Sequence, residues 1–235
     1  MEVGPTTHYV MGGIRVDGDT QMSTIPGLFA AGESAAGLHG ANRLGGNSLS
    51  DLLVFGKLAG EHAARYAGDT PSASVSQSAV EESARHALQP FDRAAAAESS
   101  ESPYQVQYAL QEMMQALVGI VRREEEMQQA LEGLAALRDR AERVCVVGNR
   151  EYNPGWHTAL DLSNLITVAE AVTRSAIERK ESRGGHFRED FPEKDPGYAA
   201  FNIALERGED GEMRVTHLPI PEIRSDLKQI IEENK

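Results

Sequence analysis

"GLHGANRLGGNSL", residues 37–49, sets four glycines and two asparagines around a single arginine, Arg43, and then runs into an apolar stretch with helical spacing. A loop so poor in side chains lets backbone approach a flat partner closely. The helix that follows starts with backbone N–H groups carrying about half a positive charge, which favours anions and electron-rich oxygens. Arg43 adds a planar fork able to grip a carboxylate through two parallel bonds, each worth roughly 1.5–3 kcal/mol. A surface salt bridge is the other use of such an arginine, and spacing alone does not choose between them. Two nucleotide motifs are excluded. Gly40 and Gly45 have P-loop spacing, but Gly46 and Asn47 stand where a Lys-Ser/Thr pair is required, and no G-x-G-x-x-G is present.

Outward from this loop, "GGIRVD" (12–17) and "GLFAAGE" (27–33) read as short strands ending in turns. "NSLSDLLVFGKLAGEHAARYA" (47–67) reads as a helix capped by Asn47 or Ser48, with Asp51 completing a capping box. Gly56 and Gly60 cost helix propensity and point to close packing on that helix. Glycine is dense over residues 1–68, and a small, polar, proline-containing linker occupies residues 69–79. Residues 80–183 turn helical, and three apolar stripes predict an antiparallel bundle. The stripes are Val106, Leu110, Met113, Leu117 and Ile120; then Met127, Leu131, Leu134, Leu137, Ala141 and Val144; then Leu162, Leu165, Ile166, Ala169, Val172 and Ala176. They are core. In residues 184–235, "FNIALE" and "MRVTHLPI" read as a hairpin closed by "RGEDGE".

The 235 residues are 40% hydrophobic and 25% charged, an ordinary globular composition for one large or two modest domains. A net charge of −13 argues against nucleic acid or an anionic membrane as main partner. Cys145 is the only cysteine, so no intrachain disulfide forms; a reducing compartment and a packed thiol on a helix are expected. No run approaches the ~20 apolar residues of a membrane span, and the first residues carry no signal-peptide pattern. No His/Cys/Asp/Glu spacing fits a metal site.

Four motifs in order, "THYVMGGI" (7–14), "GLFAAGE" (27–33), "HGANRLGGNSL" (39–49) and "ESRGGHFREDFP" (181–192), closely resemble the flavoprotein subunit of succinate dehydrogenase and fumarate reductase. The resemblance covers essentially the whole chain. L-aspartate oxidase shares a related "HGAN" segment, but "RLGGNSL" and the long helical region fit the dehydrogenase better. The implied fold class is α+β: a C-terminal part of an FAD-binding and substrate domain (1–68), a linker (69–79), a helical bundle (80–183) and a small α+β tail (184–235).

Residue by residue, the resemblance implies that Glu33 holds FAD and that Ser48 and Leu49 lay backbone against the flavin at the helix start. Gly12 and Gly13 would bring backbone close to the isoalloxazine. Arg43 would bind one substrate carboxylate, and His8 would hydrogen-bond a carboxylate. His39 either touches substrate or orders the loop. Arg183, His186, Arg188 and Asp190 are expected to form a charged network joining the bundle to the flavin domain. The family's ADP-binding motif, capping domain and proton-shuttling arginine have no counterpart in these residues, so no catalytic residue is expected here.

The implied reaction interconverts succinate and fumarate by hydride transfer to FAD. Electrons would pass to an iron–sulfur subunit and a membrane anchor, placing the protein peripherally on the inner face of the cell membrane. The expectation is that this chain, a C-terminal portion of the subunit, is inactive without the missing half. The alternatives are a non-catalytic module docking on partner subunits, or part of an L-aspartate oxidase-like flavoenzyme.

Overall fold

The computed structural model describes residues 8–72, 74–96 and 101–233, so Thr7 of the first motif lies outside the described residues. The chain divides into two compact units, Met1–Gln89 with Arg183–His186, and Pro90–Ser182 with Phe187–Lys235. The division falls inside a helix at Pro90, a residue that removes a helical hydrogen bond and crowds the preceding turn.

In the second unit, α3 (Pro103–Leu117), α4 (Glu124–Ala141) and α5 (Pro154–Glu178) form a three-helix bundle. Local chemistry starts each helix. Ser102 and Gln105 make a capping box with Pro103 in the first turn of α3. Three glutamates open α4, and Arg138 and Arg140 close it, complementing its dipole. The Asn153 side chain accepts from Trp156 N at 3.1 Å to cap α5. Val106, Leu110, Leu134, Leu137, Leu162 and Ile166 are buried together, and Val118, Met127, Ala130 and Ala176 extend the core. Gly133 admits the Met113 sulfur where a Cβ would collide with it.

Two stripe residues fall outside the helices. Ile120 follows the end of α3, and Val144 follows α4, although Val144 is still buried in the bundle core. Cys145 is likewise on no helix, contrary to the periodicity. Residues 144–147 form no regular element, with Cys145 N donating to Glu101 O at 3.1 Å and Val146 N to Pro90 O at 2.9 Å. Burial of Val144 and Val146 in such a segment mimics a helical phase when only four residues are available.

Beyond the bundle, β1 (Phe201–Arg207) and β2 (Met213–Pro219) pair antiparallel, Ile203 opposite His217 and Leu205 opposite Val215. His217 stacks on Phe201 with 4.0 Å between ring centroids and meets Glu178 at 2.8 Å. A helix α6 (Ser225–Glu233) follows.

Arg188 is fully buried in this unit. Its guanidinium donates to the Ala176 and Ile177 carbonyls in the last turn of α5, at 2.8 and 3.2 Å. It also pairs with Asp190 and Glu124, at 2.7 and 2.8 Å. Asp190 in turn accepts from Glu124 N, the first residue of α4, at 2.9 Å. The Arg188 hydrogen bonds draw the Asp190 carboxyl down to about 2, against the opposing effect of burial.

The first unit holds α1 (Asn47–Asp69), a short 3-10 turn (Gly32–Ser34) and the first part of α2 (Gln77–Ala95). The two expected strands appear only as single bridges: Ile14 with Ala35, Val16 with Ser23, and Met22 with Phe29. Turns at residues 18–20 and 24–27 interrupt the chain before any pair can extend into a ladder. The expected side-chain cap of α1 is also absent. Gly46, left-handed at φ +83°, is the N-cap, and no side chain bonds the opening N–H groups. Asp51 is instead buried, 5% exposed, and used elsewhere.

Candidate functional site: an arginine and a histidine beside a helix start

Within the first unit, loop geometry carries the site. Ile14 N donates to Ser34 O at 2.8 Å and Ala36 N to Ile14 O at 2.9 Å, fastening residues 12–14 against the 3-10 turn. A Cβ on Gly13 would stand 2.6 Å from Ser34 O, so Gly13 is required by its own chain, whereas Gly12 faces open space. Glu33 reaches back from that turn, its Oε1 accepting from Val10 N at 2.9 Å. This bond holds the backbone beside His8.

Arg43 and His8 come together: Arg43 Nη2 lies 3.1 Å from His8 Nε2, across 35 residues of sequence. A guanidinium has only donors, so the imidazole nitrogen is the acceptor. Arg43 Nη1 makes a long bond of 3.4 Å to Leu44 O. Its Nε is buried and has no hydrogen-bond partner among the described residues, an unusual state for a charged donor. The guanidinium carbon lies 4.5 Å from the centre of the Tyr9 ring, within cation–π range.

Tyr9 is itself tied down. Its hydroxyl meets His39 Nε2 at 3.1 Å and Asp51 Oδ2 at 3.5 Å, while His39 Nε2 and Asp51 Oδ2 are 3.4 Å apart. The side chains of His39 and Asp51 are 8% and 5% exposed. Burial first, then the Asp51 and Glu33 carboxylates, push the Tyr9 hydroxyl above its ordinary range, with Arg43 opposing. Asp51 brings this anchor from α1, and His39 brings it from the glycine loop.

Ser48 and Leu49 occupy the first turn of α1, Ser48 half-buried and Leu49 exposed. Gly12, Gly37, Gly40, Gly45 and Gly46 have nothing within 4 Å of where a Cβ would stand. Bare backbone and helix N–H groups free of any capping side chain suit a flat group with oxygens along one edge. The residues present therefore fit a flavin.

The segment 183–186 belongs to the same unit. Gly185 N donates to Ala41 O at 2.9 Å, and Gly184 at φ +60° admits that same carbonyl where a Cβ would collide with it. The two glycines of "ESRGGH" thus brace the loop that carries Arg43. Of the four residues expected in a charged network, Arg183 and His186 pair through their backbones here, Arg183 N donating to His186 O at 2.8 Å, while Arg188 and Asp190 serve the helix ends of the second unit. Tyr9 and Asp51 were not singled out by sequence as site residues. Tyr9 stands next to His8, and Asp51 was claimed by the capping pattern.

Among the described residues no cluster of His, Cys, Asp or Glu could hold a metal ion, and no helix is long and apolar enough to cross a membrane.

Residues 107–229 match the family model for the fumarate reductase flavoprotein C-terminus, and residues 1–49 match an FAD-binding domain model. The fumarate reductase flavoprotein subunit of Haemophilus influenzae is 39% identical over 221 residues, covering 93% of this chain and 36% of its own length. The Mycobacterium smegmatis Sdh1 complex in the apo form contains a chain of 48% identity and TM-score 0.86, matched over 97% of this chain and 39% of that one. A quinol fumarate reductase chain of Escherichia coli has 34% identity and TM-score 0.79, over 91% of this chain and 37% of that one. The chain thus spans little more than a third of the relatives it matches.

Proposed function

The chain belongs to the fumarate reductase and succinate dehydrogenase flavoprotein family, an FAD-dependent oxidoreductase family, and we propose that it supplies the dicarboxylate grip of an enzyme interconverting succinate and fumarate. The observation that carries this reading is the convergence of Arg43 and His8 at 3.1 Å. A cation and an imidazole side by side, next to bare backbone and a helix start, suit a small dianion held over a flat cofactor.

Glu33, the backbone around Gly12, and the first turn of α1 at Ser48 and Leu49 would hold the cofactor. FAD, when bound, supplies the acceptor for the hydride that leaves the substrate carbon. The chain's own residues bind and orient. Arg43 gives up its bond to His8 and presents paired N–H groups to one carboxylate. His8, released, turns an N–H towards a carboxylate oxygen. Fixing the diacid in this way is orientational catalysis, worth up to several kcal/mol when the reacting atoms are held in line. The same donors favour charge growing on the carboxylates in the transition state.

The proposal extends to the assembly. These 235 residues alone do not turn over, because the ADP-binding half, the cap and its proton-shuttling arginine lie outside them. Electrons leave through an iron–sulfur subunit, and a membrane anchor holds the complex at the inner face of the cell membrane. The test is co-expression with a polypeptide carrying the missing half, followed by succinate-dependent reduction of an acceptor dye. Activity that appears on reconstitution and is lost in Arg43→Ala supports the reading. Reconstituted activity unaffected by Arg43→Ala overturns it, as does turnover by the isolated chain.

A further inference from the structure

We propose that Tyr9 is the positioning residue for Arg43: its ring is the shelf on which the guanidinium lies, and His39 and Asp51 lock that ring by its hydroxyl. The inference rests on the reading of Arg43 as a carboxylate-binding group, and deepens it.

Arg43 has little else to hold it. One nitrogen bonds an exposed imidazole, one makes a 3.4 Å contact to the neighbouring carbonyl, and Nε has no partner among the described residues. Both bonds are of kinds that a carboxylate can replace. The contact that survives ligand arrival is the cation–π contact at 4.5 Å on Tyr9, because it is made to the ring and involves neither of the hydrogen bonds that a carboxylate would replace.

A shelf has to be fixed to be useful. Tyr9 donates to Asp51 Oδ2, which leaves its oxygen to accept from His39 Nε2–H. The His39 ring also packs edge-on against Tyr9, with centroids 5.5 Å apart. Asp51 sits on α1, so the most regular element of this unit is the reference for the Arg43 fork. The charged groups facing Tyr9 are Arg43, Asp51 and Glu33; neither carboxylate is hydrogen-bonded to the Arg43 fork, whose bonds go to His8 and Leu44. Pre-setting a long, rotamer-rich side chain reduces what binding must order.

The test uses the chain itself, with Arg43 Nε–H followed by two-dimensional NMR and succinate as titrant. In the wild type, the proton above the Tyr9 ring is shifted upfield by the ring current. Tyr9→Phe, which keeps the ring but loses the hydroxyl that anchors it, reduces that shift, and Tyr9→Leu abolishes it. Asp51→Asn and His39→Gln, which leave the ring in place, reduce it by freeing the ring to move. Succinate affinity falls about tenfold in Tyr9→Leu and about threefold in Tyr9→Phe. An Arg43 signal unchanged by Tyr9→Leu overturns the proposal, whatever succinate does. Failure of wild-type chain to bind succinate, with the ring-current pattern as expected, leaves the shelf standing and counts against the carboxylate reading instead. If Tyr9→Leu does not fold, a reduced upfield shift in Asp51→Asn supports the proposal and an unchanged one overturns it.

Discussion

Arg43 Nη2 lies 3.1 Å from His8 Nε2, and the two residues reach that point from separate loops 35 residues apart. One loop is fastened by the Glu33 bond to Val10 N, at 2.9 Å, and the other by Gly185 N on Ala41 O, at 2.9 Å. The pair is held by backbone on both sides, so its side chains remain available.

Replacing the fork by a point charge separates geometry from charge. Arg43→Lys in the reconstituted enzyme is expected to lower kcat/KM by about 100-fold, the loss of one to two charge-assisted bonds. Steady-state kinetics with succinate measures it, and a change under twofold places the carboxylate grip elsewhere.

Backbone conformation makes Gly184 intolerant. With φ +60° and the Ala41 carbonyl in the way, Gly184→Ala is expected to destabilise the protein by about 2 kcal/mol. Gly12→Ala, in open space, should change stability by less than about 0.5 kcal/mol. Urea unfolding of the two variants tests the contrast.

The acid side of the stability curve should carry the signature of one carboxylate. The Arg188 hydrogen bonds hold Asp190 at about 2, against an ordinary value of 3.8. A lowered folded value contributes stability that is full above pH ~4 and disappears as pH falls towards ~2, about 2 kcal/mol in all. Denaturant titrations across that window should show Asp190→Asn lower in stability at neutral pH and flatter in slope.

Removing the cation at the centre of that cluster is a harsher change. Arg188→Met keeps bulk but leaves Asp190 and Glu124 facing each other and two α5 carbonyls without their donor. The expected cost is about 3 kcal/mol, read as a fall in thermal midpoint. A shift under a degree would show that the cluster adds nothing.

Much of this architecture was legible in the residues. The bundle followed from apolar stripes at three- and four-residue spacing, and the hairpin from two short apolar runs around a glycine loop. The 35-residue convergence of His8 and Arg43 came only from motif resemblance, because no local pattern encodes a contact between two loops. The failures have one cause. Its distance from Ser48 assigns Asp51 to a capping box, yet a half-buried tyrosine and histidine claim it. Cys145 was read as helical by phase, yet its N–H bonds Glu101. In both places a tertiary partner outbids the local pattern.

Arg188 and Asp190 close the end of α5 and the beginning of α4 with one ion pair. These two helix termini therefore cannot fray independently: opening either one strands the charge that stitches the other. Amide exchange at residues 124–127 and 175–178 should accordingly proceed as a single event, a knot of cooperativity at one end of an otherwise ordinary bundle.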